Sequence, residues 1–249
     1  MKAILLNDAS GAAMNEVTKP NVGIGDILVE MKACGLCGTD LEKMQGQYTA
    51  AKSVLGHEAA GIVAETSEDV NQFTVGDRVF PHHHTPCNDC RFCTKGNETM
   101  CTQYRASNLD PSGFSEYFRV PSWNIKQGGV LQLPEKVSYE EASFIEPIAC
   151  CIRGLSRSKI SSDDTVLIIG AGPVGLIHLQ LLKHIGSNIL ISDVNKKRLA
   201  IAKTQGASKI YDVGECDIPT RIREDTDGFG ADVALVATGS PKGIIQALK

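Results

Sequence analysis

The chain lacks any large excess of charge of one sign. Its 249 residues carry a formal net charge of −4, which gives no basis for a nucleic-acid or anionic-membrane partner. It also lacks a long hydrophobic run. No stretch approaches the roughly 18 apolar residues of a membrane span. The apolar run after Lys2 has four residues, too short for the core of a signal peptide. Internal repeats and low-complexity tracts are missing as well. What remains is 42% hydrophobic and 22% charged, the balance of a globular protein with one or two domains. The expected compartment is the cytoplasm, where thiols stay reduced.

Cysteine is not scarce: there are nine. Four fall in "PCNDCRFCTKGNETMC", residues 86–101, at Cys87, Cys90, Cys93 and Cys101, with gaps of two, two and seven residues. Disulfides and a metal compete as explanations. In a reducing compartment this spacing points to zinc. Two-residue gaps let a tight turn aim successive sulfurs at one ion, and zinc accepts four thiolates. Pro86, Asn88, Asp89, Gly96 and Asn97 supply turn chemistry between the ligands. Four protein ligands leave no position for water, so this site is expected to be structural.

The pattern changes along the chain. Residues 25–33, 59–65, 76–81 and 113–121 read as short strands punctuated by Gly and Pro, which predicts an all-β, barrel-like region. One short helix is expected over 40–47, ending near Gly46. From about residue 139 the spacing turns helical, with Pro147 as a break or restart. Strand and helix then alternate to the end, which predicts an α/β region with a parallel sheet. The chain stops inside a helix opened by Pro241. A full six-stranded dinucleotide fold needs about two more strands, so the sequence is expected to be a fragment, inactive or aggregating when made alone.

The α/β region opens on "VLIIGAGPVGLIHL", in which Gly170, Gly172 and Gly175 form G-x-G-x-x-G around Pro173 and Val174. A strand precedes the loop and a helix follows. Asp193 lies 18 residues after Gly175, at the end of the next strand. That context is the dinucleotide-binding fingerprint. The first glycine permits the turn, the second lets backbone approach a pyrophosphate, and the third lets helix and strand pack. The helix N-terminus then meets the phosphate charge. Asp193 would accept from the ribose hydroxyls and repel a 2′-phosphate, which favours NAD over NADP. Lys196, Lys197 and Arg198 are positioned either to soften that repulsion, with Arg198 at the cofactor, or to form a solvated helix face. Thr238 and Gly239 would edge the same crevice.

The first half carries further metal-binding residue types. Cys37, His57, Glu58 and Glu146 supply a thiolate, an imidazole and two carboxylates. Mixed ligands of this kind suit a catalytic zinc, although spacing alone does not assemble them. His82, His83 and His84 are consecutive. On an extended chain they alternate sides and converge poorly, so a surface loop is expected. His178 and His184 read as packing or surface groups, as do Cys34 and Cys216. Cys151 is either a buried small residue or a neighbour of the nicotinamide.

The order "ACGLCGTD", "GHE", "VGDRV", the four-cysteine loop, "EP" and "GAGPVG" resembles the zinc-dependent medium-chain dehydrogenases, specifically their sorbitol and threonine dehydrogenase branch. The resemblance covers essentially all 249 residues and leaves the family's last third absent. It implies a GroES-like β-barrel catalytic domain at 1–155, followed by an incomplete Rossmann NAD-binding domain at 156–249. It implies two zinc ions per subunit. By position, Cys37 and His57 match the constant catalytic ligands, Glu58 the third ligand of that branch, and Glu146 its further carboxylate. Asp40 matches the carboxylate that orients the zinc histidine. Thr39 matches the hydroxyl that first receives the substrate proton. Many relatives carry a histidine three residues later. Glu42 stands there instead, to relay protons, to bind a substrate hydroxyl, or as a plain exposed glutamate of the helix.

The implied activity is reversible hydride transfer between a secondary alcohol and NAD, with a polyol, sugar or hydroxy amino acid as the small-molecule partner. A homodimer or homotetramer is implied at full length. Two rivals differ in metal content. A quinone or enoyl reductase of the same superfamily would lack both ligand sets. A zinc-stabilised nucleotide-binding module without catalysis would need only the cysteine loop.

Overall fold

The computed structural model describes residues 1–7, 11–46 and 54–249, in two compact units, Met1–Glu146 and Pro147–Lys249. The first unit is built on antiparallel β-structure. Strands β1 (Lys2–Leu6) and β2 (Ala12–Glu16) form a hairpin-like pair. A five-stranded sheet follows from β3 (Ile27–Gly35), β4 (Glu58–Thr66), β5 (Arg78–Pro81), β6 (Tyr117–Val120) and β7 (Val130–Gln132), in spatial order β6-β3-β4-β5-β7. Side chains alternate across the sheet as a strand's period of two requires. Ile27, Val29, Ala59, Val63, Val79 and Phe118 enter one core. Ala60 and Phe80 enter another with Leu133 and Ala142.

Two short helices flank this sheet directly. α1 (Gly38–Met44) follows β3, and α2 (Ser122–Lys126) follows β6. The helical region after residue 138 divides into α3 (Tyr139–Ala142) and α4 (Ile145–Ser158), with Pro147 in the first turn of α4, where a missing N–H costs nothing. Ser138 caps α3, accepting from the Glu141 N–H, while the Glu141 carboxylate accepts from the Ser138 N–H.

The pairing of β3 with β4 matters most for function. Its register slips at Leu28/Val29 and at Met31/Ala33, and then runs to Gly35 opposite Glu58. Such bulges re-aim the residues beyond them. Here the end of β3 delivers the Cys37 turn to the start of β4, where His57 and Glu58 stand.

The second unit alternates strand and helix: β8 (Thr165–Ile169), α5 (Pro173–Ile185), β9 (Asn188–Asp193), α6 (Lys196–Thr204), β10 (Lys209–Asp212), α7 (Ile218–Asp225), β11 (Val233–Val236) and α8 (Pro241–Ala247). The four strands are parallel, in the order β10-β9-β8-β11. Both faces are covered. Val166, Ile168, Ile189 and Ile191 pack with Leu179, Leu182 and Leu199, and Leu167, Ile169 and Leu190 pack with Ile218 and Ile222. This double coverage explains the uninterrupted apolar run "VLII". Strand order reverses at β8, whose neighbours are β9 on one side and β11 on the other. Doubly wound sheets bind ligands in the crevice at such a point.

Candidate active site

The turn after β3 is organised by Asp40. This carboxylate is fully buried. Its Oδ2 accepts from the Cys37 N–H at 3.1 Å, and its Oδ1 accepts from the Gly56 N–H at 3.0 Å. Oδ1 also stands 3.6 Å from His57 Nδ1, an ion-pair distance rather than a strong hydrogen bond. Three backbone and ring positions on two segments are thereby referred to one side chain. Gly35 gives Glu58 its room, because a Cβ at Gly35 would lie 2.0 Å from Glu58 Oε2.

The result is a group of three ligand atoms, from Cys37, His57 and Glu58, all within 4.8 Å of one another. His57 and Glu58 are buried. Their electrostatics suit a cation. Burial disfavours charge on His57, yet the facing Asp40 carboxylate, with Cys37 after it, outweighs burial and raises its pKa to about 10. Burial raises the Glu58 carboxyl, with His57 opposing and Glu146 adding to the shift. Burial also works against Asp40, but His57 and the two N–H donors hold it below the usual carboxylate range. The pocket thus gathers donors that release protons when a divalent ion binds them. Thiolate, imidazole and carboxylate are zinc donors, so the residues fit a catalytic zinc.

Glu146, in the first turn of α4, lies outside the mutually close trio, and its charge bears on both His57 and Glu58. Thr39 is half-buried at the start of α1, and Glu42 is exposed on the same helix.

The three histidines correct the expectation of a surface loop. His82, His83 and His84 follow β5 and are half-buried. The His83 ring centroid lies 5.0 Å from that of His57 at an interplanar angle of 48°, and 4.0 Å from that of His84. Alternation does operate, since His82 and His84 both lean toward Tyr104 while His83 meets His57. The segment is held inside by the His82 N–H, which donates to the Gly129 carbonyl at 2.7 Å, and by Asn124, whose Nδ2 donates to the carbonyls of His82 and His83. Low hydrophobicity hid this burial, because the anchors are backbone groups and a distant asparagine.

Cys87, Cys90, Cys93 and Cys101 converge as their spacing predicts, with four ligand atoms within 4.8 Å. Sulfur separations are 3.5 Å for Cys90–Cys93 and Cys87–Cys101, and 3.9 Å for Cys87–Cys93. Four zinc–sulfur bonds of about 2.3 Å imply sulfurs about 3.8 Å apart. Backbone N–H groups of Asp89 and Cys90 pull the Cys87 thiol down to about 6, toward the thiolate that a metal needs. The set fits a closed, four-sulfur zinc site.

In the second unit the glycine loop leaves β8 with Gly170 at φ 108°. Gly172 is the N-cap of α5 and Pro173 its first residue. Gly175 permits contact of helix and strand, because a Cβ there would lie 1.9 Å from the Gly170 carbonyl oxygen. Asp193 ends β9, buried, with Oδ2 accepting from the Ala171 N–H at 2.6 Å and Oδ1 from the Asn195 N–H at 2.7 Å. It therefore braces the loop as well as facing the crevice. Arg198 Nη1 comes within 3.9 Å of where a Cβ on Gly172 would stand. These groups and Thr238 line a cavity of about 280 Å³, and Ser192, Ser240, Lys242 and Gln246 join them from positions that no motif marks. Val174 is exposed beside the loop. Gly239 follows Thr238 in the turn before α8 and is not among the cavity's lining residues. Cys151 is buried, its thiol 3.8 Å from the Val174 carbonyl. The pocket's glycine approach and helix N-terminus fit a dinucleotide pyrophosphate.

Residues 23–134 match the family described as alcohol dehydrogenase GroES-like domain, and residues 173–249 match the family described as zinc-binding dehydrogenase. The sorbitol dehydrogenase of Bacillus subtilis is 32% identical over all of this chain and 71% of its own length. The L-threonine 3-dehydrogenase of Chromobacterium violaceum is 31% identical over all of this chain and 74% of its own. The crystal structure of 2R,3R-butanediol dehydrogenase from Bacillus subtilis superposes with a TM-score of 0.83 at 28% identity, covering 99% of this chain and 73% of that one. The chain belongs to the zinc-dependent medium-chain alcohol dehydrogenases. It is an oxidoreductase acting on a CH–OH group, with zinc and NAD(P) as its cofactors. Among the described residues, no helix is long and apolar enough to cross a membrane.

Proposed function

We propose that the chain oxidises the secondary alcohol of a polyol, sugar or hydroxy amino acid, with NAD preferred to NADP. The observation that carries this reading is the convergence of Cys37, His57 and Glu58 ligand atoms within 4.8 Å. When bound, the metal supplies Lewis-acid polarisation of the substrate oxygen, and the nicotinamide supplies the hydride acceptor. Cys37, His57 and Glu58 hold the ion, with Glu146 as a further carboxylate nearby. Asp40 fixes the orientation of His57. The Thr39 hydroxyl would accept the alcohol proton as it gives up its own, and Glu42, exposed on the same helix, would carry that proton outward or meet a substrate hydroxyl. A second zinc on Cys87, Cys90, Cys93 and Cys101 is structural.

Gly170, Gly172, Pro173, Val174 and Gly175 cradle the pyrophosphate, and Thr238 and Arg198 complete the walls, with Gly239 in the turn beyond Thr238. The preference for NAD is supported by Asp193, which ends β9 on the wall of the glycine-loop cavity, where a carboxylate would meet the ribose hydroxyls and repel a 2′-phosphate. The division expected from sequence, catalytic residues 1–155 and cofactor residues 156–249, is retained in this reading. The homodimer or homotetramer is carried over from the family resemblance, and a reducing, cytoplasmic setting fits a protein whose metal sites need the thiols of Cys37, Cys87, Cys90, Cys93 and Cys101 unoxidised.

The test is a panel of polyols and L-threonine offered to the zinc-loaded full-length protein, with NAD and NADP in parallel, read as NAD(P)H absorbance. Turnover with at least one vicinal polyol or hydroxy amino acid is expected, and Cys37→Ala abolishes it while NADH binding persists. Equal turnover by wild type and C37A would refute the assignment.

A further inference from the structure

Asp40 holds one side of the turn that carries His57. Residues 112–114 hold the other side. The Leu55 carbonyl, two residues before His57, accepts two hydrogen bonds there, from the Ser112 hydroxyl at 3.1 Å and from the Gly113 N–H at 3.0 Å. The same hydroxyl accepts from the Phe114 N–H at 3.1 Å, so both its proton and a lone pair are committed. Ser112 and Leu55 are buried, where a made hydrogen bond is stronger and an unmade one costs more. The opposite end of the same peptide unit meets Asp40. The Gly56 N–H donates to Asp40 Oδ1 at 3.0 Å, and that oxygen stands 3.6 Å from His57 Nδ1. The Leu55–Gly56 peptide is therefore gripped at its C=O by Ser112 and Gly113 and at its N–H by Asp40. No side chain fits between the two segments. A Cβ on Gly113 would lie 1.7 Å from the Gly56 carbonyl oxygen, and one on Gly56, at φ 71°, would lie 2.6 Å from the Phe114 nitrogen. The two backbones are in direct contact, so a change at Ser112 reaches the His57 turn without crossing a flexible side chain.

We propose that Ser112 is a positioning residue for the metal ligand His57: its hydroxyl fixes the Leu55–Gly56 peptide, and through that peptide the Asp40 carboxylate that faces the His57 imidazole. The proposal rests on the reading of Cys37, His57 and Glu58 as a metal site. Groups that orient a metal-binding histidine from outside the ligand set change metal affinity when they are removed. Ser112 acts one peptide further out than Asp40. A donor at an amide C=O also polarises the N–H of the same unit, which strengthens the Gly56 bond to Asp40. Ser112→Ala keeps the shape of the buried site but deletes both bonds of the hydroxyl. The Phe114 N–H then loses its acceptor, and the Leu55 carbonyl is left to Gly113 alone.

The experiment uses the zinc-loaded full-length protein as wild type, Ser112→Ala, Ser112→Thr, Asp40→Asn and the Ser112→Ala/Asp40→Asn pair. Competitive chelation measures the affinity of each zinc, the catalytic one being identified as the zinc that Cys37→Ala removes. Thermal unfolding is followed in parallel. S112A is expected to weaken the catalytic zinc about tenfold and to leave the four-cysteine zinc unchanged. S112T keeps the hydroxyl and is expected to stay within about threefold of wild type. Because Ser112 and Asp40 act through one peptide, the double variant is expected to lose no more than about twofold beyond D40N alone. A lowered melting temperature with both zinc affinities unchanged would show a purely structural serine and overturn the proposal. Fully additive losses in the double variant would overturn the route through Asp40, and the proposal with it. Should S112A fail to fold, Ser112→Cys carries the same test, because a thiol is a weaker donor of similar shape, and an affinity equal to that of wild type overturns the proposal. A wild type that binds a single zinc removes the metal reading of the trio and this proposal together. Two zincs in wild type with an indistinguishable S112A removes this proposal alone.

Discussion

Gly35 and Asp40 are the residues on which the metal trio depends, and neither is itself a ligand. Gly35 has no side chain because Glu58 Oε2 occupies that space. Gly35→Ala is therefore expected to displace Glu58. Metal analysis would read a fall toward one zinc per chain, with the four-cysteine site retained. Asp40 serves His57, Cys37 and Gly56 together. Asp40→Asn keeps the shape but removes the charge facing His57, and a loss of roughly 10–100-fold in zinc affinity or kcat/KM is expected, measured by competitive chelation and steady-state kinetics. An unchanged D40N would show that backbone geometry alone orients the ring. At this scale the sequence was only partly legible. The four cysteines could be read directly, because ligands inside one 15-residue loop have little freedom to diverge. Cys37 and His57 could not be read from spacing, since 19 intervening residues separate them. His83 was misread because burial through backbone bonds leaves no apolar signal.

Among the elements, the contact of α5 with β8 sets the shape of the cofactor loop. Gly175→Ala places a methyl group 1.9 Å from the Gly170 carbonyl oxygen, so helix and strand must separate. Overpacking of this kind costs about 1–3 kcal/mol. NADH fluorescence titration should show binding weakened at least tenfold, more than any loss of folded protein explains. A second element junction is electrostatic. Asp225 on α7 pairs with Lys209 on β10 at 2.7 Å and accepts from the Tyr211 hydroxyl at 2.9 Å. Lys209 first, then Tyr211, hold its carboxyl below the ordinary range. A depressed carboxyl stabilises the fold above its unfolded pKa of about 3.9, and that contribution is lost as pH falls from there through the lowered folded pKa. Wild type should therefore exceed Asp225→Asn in urea midpoint at pH 7, and the gap should narrow as pH falls below about 3.9. A gap constant with pH would mean that packing rather than charge joins these elements. The elements themselves were largely foreseen. The strand–helix alternation after residue 160 is carried by apolar runs and glycine stops that report local structure. The β3–β4 bulges were not, because a register slip depends on the partner strand.

For the whole molecule, each of the two units packs two hydrophobic clusters of its own and carries its own chemistry. The cysteine zinc belongs to the first. Cys90→Ala is expected to lower the melting temperature of that unit by at least about 4 °C, where roughly 1 kcal/mol corresponds to 2–4 °C. NADH binding by the second unit should persist above that transition. Simultaneous loss of both would show that the units unfold as one. The sequence by itself determined the two architectures, the structural zinc loop and the dinucleotide fingerprint. Each of these is written in residues close together, where periodicity and short loops leave few alternatives. Tertiary structure alone decided which distant residues share one point: Cys37 with His57 and Glu58, and His83 beside them. Those meetings depend on strand register and on where buried polar groups find partners, and neither is fixed until the sheet has closed around them.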